Sequence, residues 1–141
     1  ISREGQKDGF DGVLICFDKK DNSLTYAAAN NKPILISNGV VTNLPVDKMP
    51  VGKGEKEDSF RLREIQYKKG DSLYLFSDGF ADQFGGPNGK KFKNKQLEEL
   101  LLSVHHLPMK EQLALITKTF EDWKGKLDQV DDVCVIGIRL F

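Results

Sequence analysis

The spacing of apolar residues changes character along the chain. In the first part it has a period of two. Val13–Phe17 is a short apolar run closed by the polar turn Asp18-Lys19-Lys20-Asp21-Asn22, after which Leu24, Tyr26 and Ala28 alternate with Thr25, Ala27 and Ala29. Strands with one buried face alternate in this way, so the two runs predict a β-hairpin. Pro33 opens Ile34–Ser37, and Asn38-Gly39 turns the chain into Val40-Val41-Thr42. Asn-Gly suits a tight hairpin because both central positions need positive φ. Residues 45–58 carry two prolines and two glycines among charges and read as a loop.

Phe60, Leu62, Ile65 and Tyr67 predict another strand, with the alternation slipping near Glu64 as at a bulge. Lys69-Gly70-Asp71 turns into Ser72–Ser77, and residues 78–91 are Gly-rich and read as irregular. The period then becomes helical. Leu97, Leu100, Leu101 and Val104 form one stripe; Leu113, Ile116, Phe120 and Trp123 form a second, with Pro108 suited to its first turn. Val133–Ile138 is a nearly continuous apolar strand, expected at the centre of its sheet. No repeat, low-complexity segment or linker divides the chain, so residues 1–141 read as a single unit. Strands first and two helices late predict an α+β fold.

Composition adds exclusions. With 39% apolar and 30% charged residues in 141, the chain has the make-up of an ordinary globular domain. Its 21 Lys plus Arg balance 21 Asp plus Glu, without the basic excess of a nucleic-acid binder. The apolar runs are far shorter than the ~20 residues of a membrane span, so no membrane contact by this segment is expected. Cys16 and Cys134 lie in apolar runs and are expected as buried, reduced thiols of a cytoplasmic protein, a disulfide being the alternative. The chain starts at Ile1 with neither Met nor a signal-peptide pattern, and is expected to belong to something longer.

Several motifs fail on inspection. Gly85–Lys91 lacks the spacing of a phosphate loop. Asp18-x-x-Asp21-Asn22 lacks the alternating acids, central glycine and distal glutamate of a calcium loop, and reads as a solvated turn. His105-His106 has no Cys or His at ligand spacing and reads as an exposed helix end. Lys90, Lys91, Lys93 and Lys95 form either a solvated face or a patch for an acidic or phosphorylated partner.

The acids carry more. Asp78-Gly79 directly follows one apolar strand and Asp131-Asp132 directly precedes another. If those strands are antiparallel neighbours, Asp78 and Asp131 converge at one sheet edge. Converging carboxylates repel unless a positive charge lies between them, and all-oxygen ligation selects Mg²⁺ or Mn²⁺. Gly79 permits close backbone approach there. The alternative is that Asp78 caps a turn and Asp131-Asp132 merely begins a strand in solvent.

Several stretches in register resemble one family. Ser77-Asp78-Gly79-Phe80-x-Asp82, Gln129-Val130-Asp131-Asp132-Val133, Lys7-Asp8-Gly9-Phe10-Asp11, Tyr26-Ala27-x-Ala29-Asn30-Asn31-x-Pro33 and Gly70-Asp71-x-Leu73-x-Leu75-Phe76-Ser77 resemble the metal-dependent protein phosphatases of the 2C type (PPM), in their bacterial SpoIIE-like branch. The resemblance implies an antiparallel β-sandwich flanked by helices, with two Mg²⁺ or Mn²⁺ ions per complete site. Asp78 and Asp131 correspond to metal ligands. Asp132 and Gly79 correspond to neighbours of those ligands, and Asp82 to a residue near an additional metal or its waters. No side chain attacks in such a site; a metal-activated water displaces the phosphate.

Two upstream motifs of the family, a Gly-Asp-Phe type and an Ala-Asp-x-x-Gly-His-Gly type, have no counterpart in residues 1–141. The family domain needs about 190 residues or more. The resemblance therefore implies a C-terminal portion that is inactive alone. The parent protein is expected to hydrolyse phosphoserine or phosphothreonine on a regulatory protein, such as an anti-sigma-factor antagonist, in signal transduction. A sensor or regulatory domain upstream, even one anchored in a membrane, fits this picture. The alternative is a non-catalytic phosphatase-like module that binds a partner or transmits a signal. Open sheet edges would make the segment self-associate, and Gly85–Lys91 reads either as a mobile flap over substrate or as an ordinary long surface loop.

Overall fold

A computed structural model of the chain describes residues 8–53 and 58–141. Eleven strands and three helices follow one another among them: β1 (Gly9–Phe10), β2 (Gly12–Asp18), β3 (Ser23–Ala29), β4 (Ile34–Ser37), β5 (Val40–Asn43), β6 (Val51–Gly52), β7 (Arg63–Gln66), β8 (Ser72–Phe76), α1 (Gly79–Asp82), β9 (Phe84–Gly85), β10 (Lys90–Lys91), α2 (Asn94–Val104), α3 (Met109–Lys124) and β11 (Val135–Arg139). The fold is α+β. Its two main sheets are antiparallel, one ordered β2-β3-β7 and the other β11-β8-β4-β5.

The period of two explains how the sheets stack. Leu24, Tyr26 and Ala28 of β3 point one way, and meet Leu35 of β4, Leu73 of β8 and Leu140 in the core between the sheets. The opposite face of the second sheet presents Ile34, Ile36 and Tyr74 to Leu97, Leu101, Val104, Ile116 and Phe120 of the two long helices. The layers thus run sheet, sheet, helices. Tyr74 is fully buried and donates its hydroxyl proton to Gln112 Oε1 at 2.6 Å, while Gln112 Nε2 reaches the carbonyls of His105 and Leu107. This network joins the sheet to the turn between α2 and α3.

Several expectations need correcting. β11 lies at the edge of its sheet, paired only with β8 among the described residues. Its run is apolar because one face packs toward the helices (Val135) and the other toward the inter-sheet core (Ile138), whichever place it takes in the sheet. Cys16 and Cys134 are free and exposed, not buried; Cys16 points away from the core that Ile15 and Phe17 join. The strand around residue 65 is confined to Arg63–Gln66 and pairs with β3 in regular register, so the slip near Glu64 marks where the strand begins, not a bulge. Leu113 is 66% exposed, and Gln112 takes its place in the buried line with Ile116 and Phe120. The loop predicted over 45–58 contains β6, and its residues 54–57 lie outside the described residues, as does Lys7 of the first motif. Residues 78–91 are ordered as α1 and the β9–β10 hairpin.

Candidate metal centre at an acidic sheet edge

β8 and β11 are antiparallel neighbours, with Phe76 opposite Val135. The end of one therefore meets the start of the other, as the placement of Asp78 and Asp131 required. Beyond the ladder, Ser77 continues the seam: its N–H donates to the Cys134 carbonyl, and its Oγ accepts from Cys134 N and donates to the Asp132 carbonyl, all at 3.0 Å. Asp78 occupies the N-cap of α1 without a side-chain capping bond. Its carboxylate is thus not spent on the helix end, unlike the capping alternative.

Gly79 sets how close the two segments come. A Cβ built on it would stand 2.2 Å from the Asp132 carbonyl oxygen. That contact puts the backbone of Asp132, not its carboxylate, against α1. Asp131 Oδ1 accepts the Asp132 N–H at 2.8 Å, and Gln129 Nε2 donates to the Asp131 carbonyl.

The electrostatics are those of crowded acids. The Asp78 carboxyl is held above the usual carboxylate range, first by partial burial and then by the charges of Asp82, Asp11 and Asp131. Because Asp78 is an exposed residue, water screens its burial cost, and the like charges are the component that a cation would relieve. Lys91, on β10, lies 3.6 Å from Asp82 and offsets one of these charges. The donors suit a hard divalent cation in kind, being all oxygen. In number they are sparse: among the described residues no group of three or more His, Cys, Asp or Glu side chains is close enough to hold a metal ion.

Three participants, Asp11, Asn30 and Lys91, had not been singled out as site residues from the sequence. Asp11 is near enough for Asp78 to feel its charge, and Asn30 Nδ2 donates to Asp11 Oδ1 at 2.8 Å. Asn30 has a left-handed backbone (φ 62°) and its N–H bonds to the Asp47 carbonyl. The signal was available in the Asp-Gly-Phe-Asp and Ala-Asn-Asn stretches, but only the fold shows that they touch. Lys91 was seen only as part of a basic run.

The sequence model for stage II sporulation protein E (SpoIIE) matches residues 2–141. The chain belongs to the SpoIIE family. Among solved structures it is similar to the SiaA-PP2C domain of Pseudomonas aeruginosa, with TM-score 0.83 and 26% identity over 92% of this chain and 51% of that one. It also shares its fold with the phosphatase domain of the cell fate determinant SpoIIE from Bacillus subtilis, with TM-score 0.67 and 16% identity over 92% of this chain and 58% of that one. The catalytic domain of the serine threonine protein phosphatase PstP, in complex with two manganese ions, gives TM-score 0.57 and 17% identity over 87% and 55%. No curated protein matches the chain. This SpoIIE-family chain thus has a phosphatase-2C-like fold and spans a little over half the length of these structures. Among its described residues no helix is long and apolar enough to cross a membrane.

Proposed function

We propose that the chain supplies the Asp78–Asp131 side of a divalent-cation site that hydrolyses phosphoserine or phosphothreonine on a regulatory protein. The observation that carries this reading is the antiparallel pairing of β8 with β11, which sets the Asp78 and Asp131 segments side by side, where Asp78 also feels the charges of Asp82, Asp11 and Asp131. Asp78 and Asp131 would hold Mg²⁺ or Mn²⁺, with Asp11 and Asp82 close by. Such cations supply a water acidic enough to attack at neutral pH and offset charge on the phosphoryl oxygens.

The chain's own residues do the positioning. Ser77 and Gly79 fix the distance between the two ligand-bearing segments, Asn30 orients Asp11, and Lys91 keeps part of the Asp82 charge neutralised. The remaining oxygen ligands would come from the part of the fold that the longer relatives possess and this chain does not match. The chain alone is therefore a poor catalyst, because hard cations want about six oxygens. A regulatory phosphoprotein as substrate, action in the cytoplasm and an upstream sensor belong to the same proposal.

The test compares Mn²⁺-dependent hydrolysis of a phosphoserine peptide by this chain and by a longer chain that includes its preceding residues. The longer chain is expected to be active and to lose activity in Asp78→Asn, while the 141-residue chain shows little. Equal activity in both would overturn the incomplete-site argument. No response of the longer chain to divalent cations would favour a non-catalytic module.

A further inference from the structure

Gln83 is fully buried one residue beyond α1 and bonds through its side-chain Nε2 and its backbone carbonyl, while its Oε1 is buried without a partner among the described residues. Its Nε2 donates to the carbonyls of Phe84 and Asp128, each at 2.9 Å. Its backbone carbonyl accepts from Phe92 N at 3.0 Å and from the indole Nε1 of Trp123 at 2.9 Å. The orientation of the amide is fixed, since a flip would set its oxygen against two carbonyls. Gly85 and Gly86 lie against Trp123 so closely that a Cβ on either would come within 2.5 Å of it. The β9–β10 hairpin is therefore bolted at its base.

The bond to Asp128 matters for the acidic edge. Asp128 lies three residues before Asp131, and the Asp132 carbonyl is tied to Ser77 Oγ. The segment bearing Asp131 is thus fastened at both ends to residues that flank Asp78, Ser77 before it and Gln83 after α1. We infer that Gln83 is a positioning residue for Asp131, setting its place relative to Asp78 through the Asp128 carbonyl. A primary amide is required: Glu cannot donate when ionised, Met cannot donate at all, and Asn is one methylene shorter. The inference rests on the reading of Asp78 and Asp131 as cation ligands.

Gln83→Met keeps the length and apolar packing and deletes both donated bonds. Two readouts on the full 141-residue chain test it: amide hydrogen exchange, and Mn²⁺ affinity by titration calorimetry. Exchange at the Cys134 amide, which bonds to the same Ser77 Oγ that holds the Asp132 carbonyl, is expected to speed up about tenfold while β2 and β3 keep their protection. Mn²⁺ binding is expected to weaken about tenfold, as when the groups that orient a ligand are lost. If Gln83 merely bolts the hairpin, exchange rises at 84–92 with Mn²⁺ affinity unchanged, and the inference is overturned. If the wild-type chain binds no Mn²⁺, the cation reading fails, and the exchange arm decides Gln83 by itself: unchanged exchange at the Cys134 amide overturns its role. Should Gln83→Met fail to fold, Gln83→Asn carries the same two readouts, since it keeps the amide and loses the reach to Asp128.

Discussion

Replacing Gly79 by alanine adds one methyl group at the narrowest point between the two ligand-bearing segments. The new Cβ would lie 2.2 Å from the Asp132 carbonyl oxygen, 2.8 Å from its carbon and 3.1 Å from Val133 Cγ2. Relieving the contact requires the segments to part by about 1 Å, given ordinary non-bonded distances above ~3.4 Å. Overpacking of this kind costs about 1–3 kcal/mol, and stretching the bond between Ser77 Oγ and the Asp132 carbonyl adds up to ~1 kcal/mol. Gly79 begins α1 with φ outside the left-handed region, so alanine recovers at most ~1 kcal/mol of helix propensity. The net is a loss of about 1–3 kcal/mol, which lowers the melting temperature by about 3–12 °C for a chain of this size. Gly39→Ala is the control: its site has φ +74° and nothing within 4 Å of the added Cβ. It should lose only the backbone cost of ~1–2 kcal/mol and leave Mn²⁺ binding unchanged. Thermal unfolding and Mn²⁺ titration of both variants provide the check. An unaltered melting temperature together with unaltered Mn²⁺ binding in Gly79→Ala would refute the idea that this contact sets the spacing of the site.

Other consequences follow from single contacts. Tyr74→Phe leaves Gln112 Oε1 without its donor in a buried site, so urea unfolding should report a loss of about 1–3 kcal/mol. In EDTA, Asp78→Asn should raise the melting temperature, because it removes one charge from a group of like charges; a lower value would contradict the repulsion. Asp47 is held below the usual carboxylate range, first by the Arg61 N–H and also by the Arg63 guanidinium. A depressed acid contributes stability that is present above its unfolded value, near pH 4, and is lost as pH falls through its folded value. Melting curves from pH 7 to pH 2 should therefore fall less steeply for Asp47→Asn than for the wild type.

Much of the fold was legible because the period of two and the helical stripes arise from burial on one face. The Asn38-Gly39 hairpin, the β2–β3 hairpin and both long helices followed directly from it. What escaped depends on partners distant in sequence. Val133–Ile138 is apolar whether its strand is central or at an edge, since layers press on both of its faces. Gln112 and Gln83 break the apolar pattern, yet are buried because each meets backbone carbonyls that no local rule anticipates. The Gly-rich stretch after Asp78 read as irregular, but Gly85 and Gly86 let Trp123 approach and Gly79 lets the Asp132 backbone approach. At the site, the antiparallel pairing of two apolar strands was enough to bring Asp78 and Asp131 to one edge. Asp11 stayed hidden because its place depends on a hydrogen bond from Asn30, nineteen residues away.

The central claim is that Asp78 and Asp131 act together on a divalent cation. Calorimetric titration of Mn²⁺ into the wild-type chain, Asp78→Asn, Asp131→Asn and the distant control Asp18→Asn tests it directly. The wild type and Asp18→Asn should show weak, saturable binding, in the range of about a millimolar for so open a site, and both site variants should lose it. Absence of binding in the wild type, or equal binding in all four proteins, would contradict the account.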